Sequence, residues 1–212
     1  LLLKLVTHEL EQATAEEGIT GPILLEKITR AKRYTEVAQM SFDVMREGMD
    51  PEQYGQFRHT LTPASGFQSA TFREIEFYCT DMWNLVMNRK KEELKGSGDQ
   101  EEMFKWIYWQ MAGVDHKTGK KSLTLRQFEE KYMKTFRKLA NRYQKRNLWQ
   151  QYLALPEVEK TLELIVIMKE FDHVFNVKWP LVHLRTAEHY LEHGKEVKAA
   201  TGGSEWKKYL HP

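Results

Sequence analysis

A tyrosine and an arginine one helical turn apart form the first group in this sequence that could bind a ligand. Tyr54 precedes Arg58 by four residues, so in a helix the two side chains lie on one face. A guanidinium offers paired donors that match a carboxylate, and a phenol hydroxyl adds a further donor. The alternative is a surface arginine that pairs with Glu52 or Glu74. The spacing therefore indicates either a carboxylate clamp or a surface ion pair.

A histidine near the end of the chain could ligate a metal. His183 follows Trp179 by four residues, and the small and aromatic residues Thr186, Ala187 and Tyr190 come one and two turns later. Small side chains beside an imidazole leave room for a macrocycle, and one axial imidazole leaves the opposite side of a haem iron open for oxygen. This face distinguishes His183 from the other histidines, for which a surface or core position is the usual interpretation.

A glycine-rich stretch, Thr201-Gly202-Gly203-Ser204, could close over a ligand. Adjacent glycines allow positive φ and a close approach of the backbone to a bound molecule. A plain flexible linker is the alternative interpretation. The sequence contains no Walker A, GxGxxG or GxSxG motif, so nucleotide binding and serine hydrolysis have no support.

The elements that must position these residues are predicted to be helices. Apolar and small residues recur four and three positions apart from Leu24 to Met45, which is typical of a long helix in an antiparallel bundle. Gly21-Pro22 should open this helix, and Gly48 with Asp50-Pro51 should end it.

Further helices are predicted over residues 66–94 and 101–111, and from a capping box at Thr124 through Leu139 or beyond. A long helical pattern covers residues 158–193, in which Pro180 either starts a new helix or kinks a continuous one. No strand alternation is visible. We therefore expect an all-α helical bundle that forms a single domain over residues 1–212.

Composition excludes several classes of protein. The 212 residues carry a net charge of +2, so neither a nucleic-acid nor a membrane partner is expected. The only cysteine is Cys79, which excludes a disulfide framework and fits a cytoplasmic protein. No run approaches the roughly 20 apolar residues of a membrane-spanning helix.

Taken in order, these segments resemble the tryptophan 2,3-dioxygenase family over nearly the whole chain. The residues that carry the resemblance are Phe57-Arg58, Pro63-Ala64-Ser65-Gly66-Phe67-Gln68-Ser69, Phe72-Arg73, Glu76, Trp179, His183, Thr201-Gly202-Gly203-Ser204 and Tyr209-Leu210. The resemblance implies a helical bundle around a haem b pocket. It also implies an enzyme that inserts both atoms of O2 across the indole C2–C3 bond of L-tryptophan, giving N-formylkynurenine, the first product of the kynurenine pathway. Family members are typically homotetramers.

The resemblance assigns a role to individual residues of this sequence. His183 matches the axial ligand of the haem iron. Tyr54, Arg58 and Thr201 match residues that bind the amino-acid end of the substrate. Residues that match positions around the cofactor are Ser65, Gly66, Arg73, Trp179, Gly202 and Tyr209. The family's distal histidine is expected upstream of Leu1, and we expect residues to be missing at both ends of the chain.

Two alternatives remain open at this point. One is a related haem-dependent oxygenase that acts on another indole or aromatic amino acid. The other is a haem-binding helical protein without turnover. The sequence also departs from the family: it has Leu1-Leu2-Leu3-Lys4 where many members have Leu-Trp ahead of the lysine, the stretch between His183 and Thr201 is a few residues longer than in some relatives, and the family's helices after the glycine loop have no counterpart in it.

Overall fold

The computed structural model of this chain describes residues 1–58, 60, 66–96, 98–115 and 117–191, with the backbone alone at Phe57, Arg58 and Leu191. Within these ranges there is no strand, and two isolated bridges join Val86 to Ile107 and Val114 to Lys121. The predicted all-α class is confirmed. The α-helices are α1 Leu2–Ala13, α2 Gly21–Gly48, α3 Pro51–Arg58, α4 Ala70–Cys79, α5 Met82–Leu85, α6 Asn88–Leu94, α7 Gln100–Lys105, α8 Tyr108–Met111, α9 Leu123–Tyr143, α10 Leu148–Ala154, α11 Leu162–Asp172 and α12 Trp179–Leu191.

Helix α2 has the bounds that its sequence predicts. The Thr20 hydroxyl accepts a hydrogen bond from the amide of Ile23, and Pro22 occupies the first turn, where its missing N–H leaves no helical bond unmade. The seam is buried from Leu24 to Ala38 and emerges towards the end of the helix, where Met45 is 40% exposed. The buried half packs α2 against α1 and α11.

The prediction of a single helix over residues 66–94 is wrong. A 3₁₀ turn, Gly66–Gln68, is followed by three separate helices, α4, α5 and α6. The chain is extended at Thr80 and again at Val86. Both are β-branched residues that tolerate extended backbone well, and Val86 makes the bridge to Ile107. Tertiary pairing has therefore overridden a helical pattern that is continuous in the sequence.

The same bridge divides the helix that the sequence predicts over residues 101–111. Helix α7 ends before Trp106, and α8 begins after Ile107, whose backbone is extended. The helix predicted from Thr124 is present, but its cap is two residues earlier. The Ser122 hydroxyl accepts from the amide of Leu125, and α9 continues to Tyr143.

Helices α11 and α12 are joined by a six-residue π-helix, His173–Lys178, so the chain is helical from Leu162 to Leu191. Pro180 is the second residue of α12. A proline within a helix lacks the N–H of one backbone bond and crowds the carbonyl four residues earlier. The wider π turn before Pro180 gives the ring this room. The proline thus neither ends the helix nor starts an isolated one.

Two apolar cores hold the helices together on opposite sides of α4. The first is formed by α1, α2, α4 and α11, and it also includes the buried side chains of Tyr143 and Leu148. The second lies between α4 and the α7–α9 region, and its fully buried side chains include Phe77, Trp109 and Phe136. Among the described residues, none of the helices combines the length and apolar character needed to cross a bilayer.

The start of α2 is so closely packed that one added methyl group is expected to lower the stability of the fold. A Cβ at Gly21 would lie 2.5 Å from the backbone oxygen of Glu159. The Gly21 amide also donates to the Glu159 carboxylate at 2.5 Å, which holds the two segments together. We expect Gly21→Ala to lower the free energy of unfolding by about 1–3 kcal/mol, because backbone must move to admit the methyl. Urea denaturation measures this directly.

Gly48 provides the matched control in the same helix. A Cβ there meets nothing within 4 Å. Gly48→Ala should leave stability unchanged or raise it by up to about 1 kcal/mol, since alanine favours the helix. Equal denaturation midpoints for the two variants would contradict the packing at Gly21.

Candidate functional site

His183 lies in the middle of α12, and the helix itself anchors its imidazole. Nδ1 lies 3.0 Å from the carbonyl oxygen of Trp179. A carbonyl can only accept, so Nδ1 carries the proton of the neutral ring and Nε2 keeps its lone pair. Burial lowers the pKa of His183, and the charge of Arg73 acts in the same direction. The imidazole is therefore neutral at physiological pH, with Nε2 in the form that binds metals.

Aromatic rings surround this imidazole on the side of α2 and α4. The Phe42 ring lies 4.4 Å from the His183 ring and the Trp179 ring 5.0 Å from it, measured between centroids. Phe72 of α4 stacks on Trp179 at 5.5 Å and on Phe175 of the π segment at 4.3 Å. Phe175 of the π segment and Trp179 of α12 thus form one apolar wall beside His183, together with Phe42 and Phe72.

The 3₁₀ turn Gly66–Gln68 also lies next to the imidazole. A Cβ added at Gly66 would lie 3.8 Å from Cδ2 of His183, the carbon bonded to Nε2. Phe67 is buried in a small cluster with Ala112 and Leu184, which joins the turn to α12. The turn therefore lies beside the nitrogen that is available to a metal.

Arg73 forms a buried polar network behind this turn. Its side chain is 3% exposed, its Nη1 donates to Oε1 of Glu76 at 2.6 Å, and the hydroxyl of Tyr108 contacts both groups. Its Nε donates to the carbonyl oxygen of Phe67 at 3.0 Å. Burial raises the pKa of the Glu76 carboxyl against the opposing effect of the guanidinium. The network ties α4 and α8 to the turn that lies against His183.

Tyr54 connects α3 to the far end of α12. Its ring stacks on Tyr190 with centroids 4.1 Å apart and planes inclined by 21°. The Tyr190 hydroxyl donates to the carbonyl oxygen of Met45 at 2.7 Å, near the end of α2. Tyr190 therefore fixes the junction of α2 and α3 relative to the helix that carries His183.

The structure brings together the predicted residues that it describes. Gly66, Arg73, Trp179 and His183 lie in one region, and Tyr54, on α3, stacks on Tyr190 near the far end of α12. Arg58 is on α3, one turn after Tyr54, but its side chain is outside the described part of the chain. The predictions that fall wholly outside the described residues concern Ser65, Thr201, Gly202 and Tyr209. The predicted role of Arg73 at the haem edge stays a prediction, and the partners of its guanidinium here are Phe67, Glu76 and Tyr108.

Sequence reasoning missed two residues of this region. Phe42 belongs to the heptad-like seam of α2, so its pattern indicated a core residue rather than a wall beside His183. Tyr108 lies 35 residues from Arg73 on a helix of four residues. Neither spacing nor composition relates it to the site, and only the tertiary fold brings it there.

The polar groups of this region suit one kind of metal centre. Among the described residues, no cluster of three or more histidine, cysteine, aspartate or glutamate side chains could hold a bare ion. A single anchored imidazole beside a wall of aromatic rings could instead supply one nitrogen ligand and apolar contacts. That is the donor set of a metal whose other ligands come from a macrocycle.

Comparison with known proteins gives a family match over the first half of the chain. A family model described as tryptophan 2,3-dioxygenase matches residues 1–106. The match includes Tyr54, Arg58, Gly66 and Arg73, and it ends before the π segment and α12. His183 lies outside the matched range. The prediction that it binds a metal therefore depends on its surroundings in the structure and on the resemblance of the residues around it.

Individual relatives support the same family with modest identity. A tryptophan 2,3-dioxygenase of Ruegeria sp. (strain TM1040) is 38% identical over 79 residues, which is 36% of this chain and 28% of the relative. One of Nocardioides sp. (strain ATCC BAA-499 / JS614) is 46% identical over 50 residues, or 24% and 18% of the two chains. One of Bradyrhizobium diazoefficiens is 30% identical over 115 residues, or 53% and 38%. The matched stretches thus cover less than two-fifths of each of these relatives.

Proposed function

This chain belongs to the tryptophan 2,3-dioxygenase family, and on that basis we propose that it cleaves the indole C2–C3 bond of L-tryptophan with O2. The product is N-formylkynurenine, the first intermediate of the kynurenine pathway. The observation that supports this function best, beside the family match, is His183. Its Nδ1 is held by Trp179 and its Nε2 is unprotonated in an aromatic environment.

In this proposal Nε2 of His183 would bind the iron of a haem b. Phe42 and Trp179 contribute apolar contacts next to the ligand, and the residues assigned to the cofactor by resemblance are Ser65, Gly66, Arg73, Gly202 and Tyr209. The hydrogen bond from Nδ1 to the Trp179 carbonyl fixes the tautomer and the orientation of the ring. When bound, the haem supplies the activation of O2, which amino-acid side chains cannot perform.

The protein's part in the reaction is to bind and orient the substrate. Arg58 and Tyr54 hold the carboxylate of L-tryptophan, and Thr201 contacts its amino-acid end. Fixing that end restricts where the indole can lie, and such orientation lowers the barrier of a reaction between two bound molecules. Tyr190 supports this role because its stacking holds the Tyr54 ring in place.

We also propose that the protein is a cytoplasmic homotetramer, as members of the family typically are. The only cysteine, Cys79, fits a reducing compartment. Burial raises the pKa of the Cys79 thiol, which keeps it protonated and unreactive.

The function is tested by loading the chain with haem b and adding L-tryptophan in ¹⁸O-labelled O2. We expect N-formylkynurenine to form, with both labelled atoms in the product. Binding of haem without any product would favour a haem-binding protein without turnover. Conversion of another indole or aromatic amino acid, with L-tryptophan left unchanged, would favour a related oxygenase.

A further inference from the structure

The buried network of Arg73, Glu76 and Tyr108 has a feature that stability alone does not explain. Glu76 is 5% exposed, and its Oε2 is fully buried with no hydrogen-bond partner among the described residues. Removing a charged pair from water is costly, and a buried ion pair often contributes little net stability compared with apolar side chains of similar size. An unpaired buried oxygen adds to that cost. A function of the network other than holding α4 and α8 together would account for this cost.

The polar atoms of the network lead to the turn beside His183. Arg73 links the network to the turn through the bond from its Nε to the carbonyl oxygen of Phe67. The turn has a second, longer tie, in which the Gln68 side-chain amide donates to the carbonyl of Trp109 at 3.4 Å. A change in the position of the guanidinium is thus transmitted to Phe67, and so to the residue that precedes it, Gly66.

The guanidinium is itself held from the other side by Glu76 and Tyr108. Glu76 lies one turn after Arg73 on α4, so the two side chains would meet on this helix in any case. Tyr108 comes from α8, a helix of only four residues that has little stability of its own. Its hydroxyl contacts both members of the pair, and so it selects one arrangement of the charged groups.

We propose that Tyr108 and Glu76 are positioning residues that hold Arg73 so that it keeps the Gly66–Gln68 turn against His183. The relevance of this arrangement to haem rests on the proposed function. The predicted position of the turn does not rest on that function, because it can be measured in the chain without haem. In the haem-loaded protein the turn sets how closely the backbone approaches the metal-binding edge of the imidazole.

The experiment compares Tyr108→Phe with Tyr132→Phe by amide hydrogen exchange in the haem-free chain. Tyr132 is a fair control because it is also partly buried against the second core, where its ring packs on Phe128 and Phe136. A hydrogen bond to a charged group contributes enough free energy that its loss should speed the exchange of nearby amide hydrogens by about tenfold or more. We expect this acceleration at residues 66–69 in Tyr108→Phe only, with exchange in α1 unchanged.

Two outcomes would overturn the proposal. One is equal exchange at residues 66–69 in the two variants. The other is a uniform acceleration throughout the chain of Tyr108→Phe, which would make the hydroxyl a general structural element. If Tyr108→Phe does not fold, Arg73→Lys decides by the same criteria, since lysine keeps the charge but cannot place a donor where Nε lies.

Arg137→Lys is the control for that second variant. Arg137 also pairs with a glutamate, Glu101, through Nε and Nη2 at 2.6 and 2.7 Å, but on the exposed surface of α7 and α9. A haem titration of the same proteins, followed at the Soret band, then separates the two proposals. Absence of haem binding by the parent chain contradicts the proposed function alone. Equal exchange at the turn contradicts the positioning role alone.

Discussion

Replacing His183 by alanine is expected to abolish stoichiometric haem binding while the helices remain folded. The imidazole is the one group proposed to bind the haem iron, and the alanine methyl supplies no donor in its place. Alanine is the best helix former and causes no clash in α12. Loss of a partly buried ring beside Phe42 and Trp179 should still lower the free energy of unfolding, by about 1–3 kcal/mol.

The measurement is a haem titration at the Soret band, with far-ultraviolet circular dichroism as the check of folding. His173→Ala is the matched control, because His173 lies exposed on the same continuous helical segment. It should bind haem like the parent. Added imidazole should restore part of the haem spectrum of His183→Ala, since it can occupy the space of the missing ring. Full haem content in His183→Ala without imidazole would remove His183 from the proposed site.

The parts of the fold that the sequence predicts well are those determined by local signals. Helix α2 combines a heptad-like seam with a threonine cap, a first-turn proline and a stop at Gly48, and all of these agree on one helix. The region from residue 66 to residue 111 has no such agreement. Its helical pattern continues through Thr80 and Val86, but the bridge between Val86 and Ile107 divides it. A contact between residues 21 positions apart cannot be read from periodicity.

The candidate site also contains some features that the sequence predicts and others that arise only from the packing of the helices. The match of Trp179 and His183 to a helix face was visible, because residues four apart share a face. The stack of Tyr54 on Tyr190 and the contact of Tyr108 with Arg73 join residues that are distant in the sequence. Such contacts depend on how α3, α8 and α12 pack, and the sequence contains no separate signal for them.

Helix α12 connects the two halves of the proposed chemistry. His183 near its middle faces the aromatic wall from α2 and α4, and Tyr190 two turns later stacks on the residue proposed to bind the substrate. The hydroxyl of Tyr190 also binds the end of α2. The proposed metal ligand therefore lies on the same helix that holds α3, the helix with the residues proposed to bind the carboxylate.

Replacing Arg58 by alanine is expected to reduce kcat/KM for L-tryptophan by about tenfold to over a hundredfold, because a hydrogen bond to a charged group contributes roughly 1.5–3 kcal/mol. Arg58 lies one turn after Tyr54 on α3, and the stack of Tyr54 on Tyr190 holds that helix against α12. Tryptamine lacks the carboxylate, so it should be a poor substrate of the parent and should respond little to the change.

Steady-state assays of both substrates in the two proteins measure this difference. Arg89→Ala is the control, because Arg89 is an exposed arginine of α6, outside the candidate site, and its loss should leave both substrates unaffected. The comparison of substrates carries the argument, since a carboxylate clamp affects only the molecule that has a carboxylate. Equal losses for L-tryptophan and tryptamine in Arg58→Ala would instead make Arg58 a residue that stabilises α3, and the substrate's carboxylate would then need another partner.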